Sequence, residues 1–142
     1  MIKPKKNLLL ILSSFIIIIF VATFIVSIIV TKNVSKLQYY NLAGDKVASV
    51  RYVLGERKVS SVSSKTTSDM LVKQYKYYNI EEVINDVQYY VDYLCKNEAF
   101  SVKSQNSNNI HEGKVTLYKK SIVNGKDIII TIEYKERRYS IT

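Results

Sequence analysis

The stretch 8–30 decides most of what this chain can become. It contains no charged residue, no Gly and no Pro. It opens Leu-Leu-Leu-Ile-Leu-Ser-Ser-Phe, passes through four consecutive Ile, and closes Phe-Val-Ala-Thr-Phe-Ile-Val-Ser-Ile-Ile-Val. An unbroken apolar run of roughly 20 residues is long enough to cross the hydrocarbon core of a bilayer as a helix, since each helical residue rises about 1.5 Å. The residues that follow are polar enough to form a soluble domain. The expected organisation is a basic cytoplasmic tail at 1–7, a transmembrane anchor at 8–30, a juxtamembrane linker at 31–46 and an extracytoplasmic α+β domain at 47–142.

A secretory signal peptide has the same order of parts, with a basic start and then an apolar segment. Its apolar segment is usually about 7–15 residues long and ends at a small-x-small cleavage site. Here the run is longer, and Val30-Thr31-Lys32 and Val34-Ser35-Lys36 make poor cleavage sites. An uncleaved anchor is the expectation. Lys3, Lys5 and Lys6 cluster before the span, whereas Lys32, Lys36 and Lys46 are spread out after it. The positive-inside rule acts over short loops, so the clustered side stays in the cytoplasm and the long C-terminal segment lies outside. The layout also resembles that of pilin-like proteins, with their basic leader, apolar helix and β-rich head. Those have a small residue, usually Gly, before the apolar segment and a Glu about five residues on from that small residue; here Asn7 precedes Leu8, and no Glu occurs before Glu56.

Charge and cysteine content narrow the chemistry. Three of the 21 basic residues precede the span, leaving 18 basic against 12 acidic residues beyond it. A domain with that excess is drawn to anionic surfaces, although a mild surplus of Lys also serves solubility alone. The single cysteine, Cys95, excludes an intramolecular disulfide and any multi-cysteine metal site.

Within the domain, 47–54 is β-branched and aromatic and reads as a strand, broken by Gly55. The Ser-, Thr- and Lys-rich stretch 57–68 reads as a loop or a polar edge strand. Residues 70–78 alternate loosely as a half-exposed strand in which Tyr75, Tyr77 and Tyr78 either form a stacking platform or pack across the sheet. Tyr39 and Tyr40 stand where an interfacial aromatic belt would lie.

The segment 80–96 has helical periodicity. Ile80, Val83, Ile84, Val87, Val91, Leu94 and Cys95 fall in one stripe, with Glu81, Glu82, Asn85, Asp86, Tyr89, Asp92 and Tyr93 outside it. Asn79 and Glu82 are spaced as a capping box, and Asn97 is a plausible stop. Then 100–103 alternates as a short strand, 104–109 reads as a polar loop, and 114–122 reads as a strand. Asn124-Gly125 signals a type I′ hairpin. In 127–134, Ile128, Ile130, Ile132 and Tyr134 share one face and Ile129 and Thr131 the other. A charged turn, 135–138, leads to a last short strand at 139–142. The fold class expected is α+β, one amphipathic helix packed on a mostly antiparallel sheet.

No Gly-rich phosphate loop, nucleophile elbow or zinc-ligand spacing occurs. His111, beside Glu112, lacks a positioned nucleophile, and Cys95 reads as a small core residue. We therefore expect no catalytic site, cofactor or metal. The candidate interaction surface comprises Lys119, Lys120, Lys135, Arg137 and Arg138 on one edge of the sheet, with Tyr75 and Tyr77. Expected partners are the lipid bilayer through 8–30 and a membrane or envelope protein, with an anionic wall polymer or lipid headgroups, met through the basic cluster, as the alternative; nucleic acid is not expected.

Overall fold

The computed structural model describes residues 5–67, 70–109 and 111–142, so most of the basic start of the tail and the end of the 57–68 stretch lie outside the described residues. Helix α1 (Lys5–Val34) runs through the apolar stretch without a break. Its membrane-length part, Ile11–Val34, has a mean hydropathy of 2.8. Phe15, Ile18, Phe20 and Phe24 all face outward, so the helix is apolar around its whole circumference. That is the pattern of a segment solvated by lipid, and the helix is a membrane anchor or a signal sequence.

The compact unit 31–142 begins with a hairpin, β1 (Tyr39–Leu42) and β2 (Asp45–Ala48). It occupies much of the stretch expected to be a linker. Ala43 and Gly44 turn the chain, both at positive φ, as a type I′ turn requires. Tyr39 is exposed but Tyr40 is buried, so the pair does not act together at an interface.

The strand expected at 47–54 ends at Ala48. Ser49 caps a short helix, α2 (Val50–Leu54), its hydroxyl accepting from the Tyr52 amide. Gly55, at positive φ, closes it. The alternation that resembled a strand here belongs to one helical turn set between a serine cap and a glycine stop.

Six antiparallel strands follow in the spatial order β3-β4-β8-β7-β6-β5. They are β3 (Val59–Thr66), β4 (Leu71–Tyr77), β5 (Ser101–Asn109), β6 (Glu112–Lys120), β7 (Asp127–Lys135) and β8 (Arg138–Ile141). The polar stretch after Gly55 is thus an edge strand. The Asn-rich stretch 104–109, expected to be a loop, continues β5 along the other edge, in register with β6 but for two irregularities. An outer strand with one free side tolerates Ser and Asn because half of its backbone groups face water.

Helix α3 (Val83–Asn97) starts three residues later than the periodicity implied. Asn79 sits at positive φ instead of capping, and Glu82 occupies the cap position without a side-chain hydrogen bond. The buried face is also rotated. Val83, Asp86, Val87, Tyr90 and Leu94 point inward, while Ile84 is exposed. Two polar groups explain the turn. Asp86 receives Arg57 through two hydrogen bonds, Nε to Oδ2 at 2.6 Å and Nη2 to Oδ1 at 2.8 Å. The Tyr90 hydroxyl donates to the Ala48 carbonyl at 2.8 Å.

The core forms between α3, the hairpin and one face of the sheet. Val115 and Leu117 of β6, Ile128, Ile130 and Ile132 of β7, and Tyr139 and Ile141 of β8 all bury the same face. Tyrosines fill the space beneath the hairpin. Tyr40 stacks on Tyr75 at 4.7 Å, Tyr77 on Tyr139 at 5.0 Å, and the Tyr40 and Tyr77 hydroxyls bond at 2.7 Å. Burial is the main reason the Tyr40 hydroxyl is pushed up to about 12.

The β6–β7 connection is wider than the two-residue hairpin expected. Lys120 pairs with Asp127, leaving 121–126 as the loop, and of Asn124 and Gly125 only Gly125 has positive φ. Asp45 organises it. Its carboxylate accepts from the Ser121 hydroxyl at 2.7 Å and from the Ile122 and Val123 amides at 3.2 Å each, and it pairs with the Lys119 ammonium at 3.2 Å. The Ser121 hydroxyl above all, aided by those amides and Lys119, lowers the Asp45 carboxyl from its ordinary 3.8 to about 2. A lowered carboxyl supplies stability that is complete above its unfolded pKa and lost as pH falls through the folded one. The stability gap between the wild type and Asp45→Asn is therefore expected to close as pH drops from 3.8 through about 2. Urea melts of the detergent-solubilised chain across that range read this directly, and a gap independent of pH would contradict it.

Candidate functional site

The structure divides the basic cluster expected from sequence. Lys119 is buried, with its ammonium against Asp45 and 4.9 Å from the Phe100 ring centroid. Period-two alternation in β6 aims it at the core beside Val115 and Leu117, whereas Lys120 points the other way. Lys120 closes one end of the β6–β7 ladder, and Lys135 the other, opposite Glu112. Eight residues of strand separate the two ends, about 27 Å. Only Lys135, Arg137 and Arg138 remain together.

Tyr75 and Tyr77 are core residues, stacked on Tyr40 and Tyr139, so they present no platform; Tyr78 alone of the three is exposed. His111 is exposed at the β5–β6 turn, where its carbonyl accepts from the Glu136 amide. Cys95 is half-buried, and burial, aided by Asp92, pushes its thiol up, away from the reactive thiolate. Among the described residues no three His, Cys, Asp or Glu side chains gather as a metal site would require.

What the fold does assemble is the sheet face turned away from α3. Antiparallel register lines its side chains up in rows across the strands. One row runs Lys76, Ser140, Glu133, Lys114 and Asn106, on β4, β8, β7, β6 and β5. The adjacent row is uncharged. Gln74 donates to the Thr142 hydroxyl at 3.3 Å, Thr142 exchanges backbone bonds with Thr131, and Thr131 is paired with Thr116 and Thr116 with Ser104. On the other side of the charged row stand Arg138, Lys135 and Glu112.

The charged row and the flanking Arg138, Lys135 and Glu112, with Gln74 alone from the uncharged row, line an open groove of about 830 Å³, with Tyr78 at one margin. Its charges are of both signs. Lys114 pairs with Glu133 at 2.7 Å and Lys135 with Glu112 at 3.4 Å, both across the β6–β7 ladder. Such exposed pairs contribute little to stability, and they set opposite charges side by side on this face. Lys76 and Arg138 have no acidic partner among the ion pairs of the described residues. Gly113 lies on the other parity of β6, with Val115 and Leu117, where a Cβ would collide with the Tyr134 hydroxyl and the Asn106 carbonyl, so glycine there makes room for the Tyr134 ring. Arrayed donors and acceptors of both signs on a rigid surface are suited to holding an extended polar or peptide-like ligand.

Sequence reasoning missed Lys76, Lys114 and Glu133. Alternation in β6 and β7 already places Lys114 and Glu133 on the polar face, but nothing local shows that β8 inserts beside β4 and brings Lys76 into the same row. No family model, no curated protein and no solved structure matches this chain.

Proposed function

We propose that this chain is a membrane-anchored interaction module. Helix α1 holds it in the membrane with its N-terminus in the cytoplasm, and the domain 31–142 lies outside and docks a partner protein on the open face of its sheet. The observation that carries this reading is the row Lys76, Ser140, Glu133, Lys114 and Asn106 across β4, β8, β7, β6 and β5, in which charges of both signs are interspersed with neutral polar groups. A polyanion would have to pass over Glu133 and Glu112 as well as the four cations of the groove. A protein surface can present a complementary pattern, and such patterns favour the right partner mainly by penalising wrong ones. The reading assigns no catalytic role and no cofactor.

A photo-crosslinking residue at position 76 tests it, placed in the full-length chain in its native membranes. One discrete protein adduct is expected from position 76 and none from position 88, on the outer side of α3. Lys76→Glu combined with Arg138→Glu should weaken recovery of that partner by about tenfold or more, the equivalent of at least 1.4 kcal/mol. Lys96→Glu on the helix should leave recovery unchanged. Identical smears from both positions, or adducts only with wall polymer that dissociate in salt, would refute the docking role.

A further inference from the structure

We propose that the loop 121–126 is a lipid-contacting finger, which sets Ile122 and Val123 into the headgroup region of an anionic bilayer. This rests on the anchored reading above, because only residues 31–42 separate the apolar run from Ala43, to which the loop is tied. Ile122 is 88% exposed and Val123 68%, more than any other large apolar side chain after residue 30 among the described residues. Two β-branched apolar residues held in water is a costly arrangement that a loop would relieve by folding back, were it free to do so.

It is not free. The amides of Ile122 and Val123 are bound by the buried Asp45 carboxylate, and those of Val123 and Asn124 by the Ser121 hydroxyl. The Asn124 side-chain amide donates to the Ala43 carbonyl at 2.7 Å. A Cβ on Gly44 would approach Val123 Cγ1 to 3.0 Å, so the hairpin turn is shaped to pack against the loop. The tip is thus pre-organised with Ile122 outward and Val123 braced on the hairpin turn with most of its surface still exposed, which reduces the entropy lost on contact.

The surrounding charge identifies the occupant. Lys46, Lys120 and Lys126 stand within two residues of the loop or its Asp45 anchor, and all three are exposed. They outnumber the exposed acids beside them. Asp45 is buried, and Asp127 accepts from the Tyr118 hydroxyl at 2.9 Å. A small apolar tip with exposed lysines close in the chain to the loop or its anchor matches an anionic lipid surface, where each nearby Lys adds attraction and the apolar groups insert shallowly. Two side chains fall well short of the roughly 800 Å² per partner that a stable protein interface buries.

The chain contains no Trp, so Ile122→Trp gives a single reporter in the full-length protein. The variant is reconstituted in vesicles of phosphatidylglycerol and phosphatidylcholine, some with acyl chains brominated near the headgroup and others near the chain end. Intact mass confirms that the reconstituted protein retains residues 1–30. The outcome therefore reports the loop alone, and cleavage of the anchor in cells would show separately, as a shorter protein. Blue-shifted emission is expected, with roughly half removed by the shallow bromines and little by the deep ones, in keeping with insertion of about 5–10 Å. Tyr89→Trp on α3 should remain red-shifted and unquenched. Emission from Ile122→Trp that matches Tyr89→Trp overturns the proposal. So does a blue shift that ignores bromine and disappears when the protein is diluted in lipid, which would mean that a second copy covers the tip.

Discussion

Leu117→Ala is expected to cost about 3–4 kcal/mol of domain stability, the upper half of the range for a Leu-to-Ala cavity. Leu117 is fully buried in β6, opposite Ile130 of β7 and Val102 of β5. A sheet strand bonded on both sides cannot shift to fill the space, so the cavity term adds to the lost transfer energy. The site is read by urea melts of the detergent-solubilised chain, followed by tyrosine fluorescence. Ile129→Ala is the comparison, the same class of truncation on the exposed face of the neighbouring strand. It should cost under about 1 kcal/mol. Equal losses at the two positions would mean that the buried face is not where the core lies.

Asp86→Ala should destabilise the domain by about 2–3 kcal/mol, for a different reason. The carboxylate receives Arg57 bidentately from inside α3, and the side chains are 28% and 10% exposed for Arg57 and Asp86. Removing one partner of a buried pair leaves the other charge desolvated, typically about 3–5 kcal/mol, and the partial exposure of Arg57 reduces that here. Tyr139 adds to the effect. Its hydroxyl is buried near Asp86 without meeting hydrogen-bond geometry; burial first, and that carboxylate second, push its pKa up. Replacing both members together, Arg57→Met with Asp86→Leu, should recover most of the loss. If the double variant is as unstable as the sum of its single ones, the pair has no energetic coupling and the explanation fails.

Both expectations depend on features that the sequence shows unequally. Alternation made β7 legible, because Ile128, Ile130 and Ile132 stand on one side, and the buried face follows that pattern. The α3 stripe was readable to within a small rotation. What rotated it, the Arg57 bond to Asp86, joins residues 29 apart, and no local pattern contains that distance. Lys119 was misplaced for the opposite reason. Its charge suggested water, while its parity in β6 placed it with Leu117, and Asp45, 74 residues earlier in the chain, resolves the conflict as its ion-pair partner. At 47–54 the apolar spacing fits a strand and a short helix equally, and the Ser49 cap decides it. The stretch 104–109 looks like a loop by composition because Ser and Asn do not favour strands; pairing with β6 overrides that preference.

The groove was the least legible part. Each of its strands shows a polar face, but its rows exist only once the order β4-β8-β7-β6-β5 is known. Strand order is a property of the whole sheet, so sequence yielded the kinds of side chain present and not their neighbours.

The position of β8 has a consequence for the order in which the protein can be made. It lies between β4 and β7 and is the one strand joining the β3–β4 hairpin to the β5–β6–β7 meander. It is also the last of the six to leave the ribosome. Until it emerges, the flanks of β4 and β7 are open edges, and Tyr75, Tyr77, Ile132 and Tyr134 lack their cross-strand neighbours. Local hairpins can form during translation, but closure waits for a contact between segments far apart in the chain, which is intrinsically slow. On whichever side of the membrane the domain folds, two half-sheets become a single sheet only after β8 arrives.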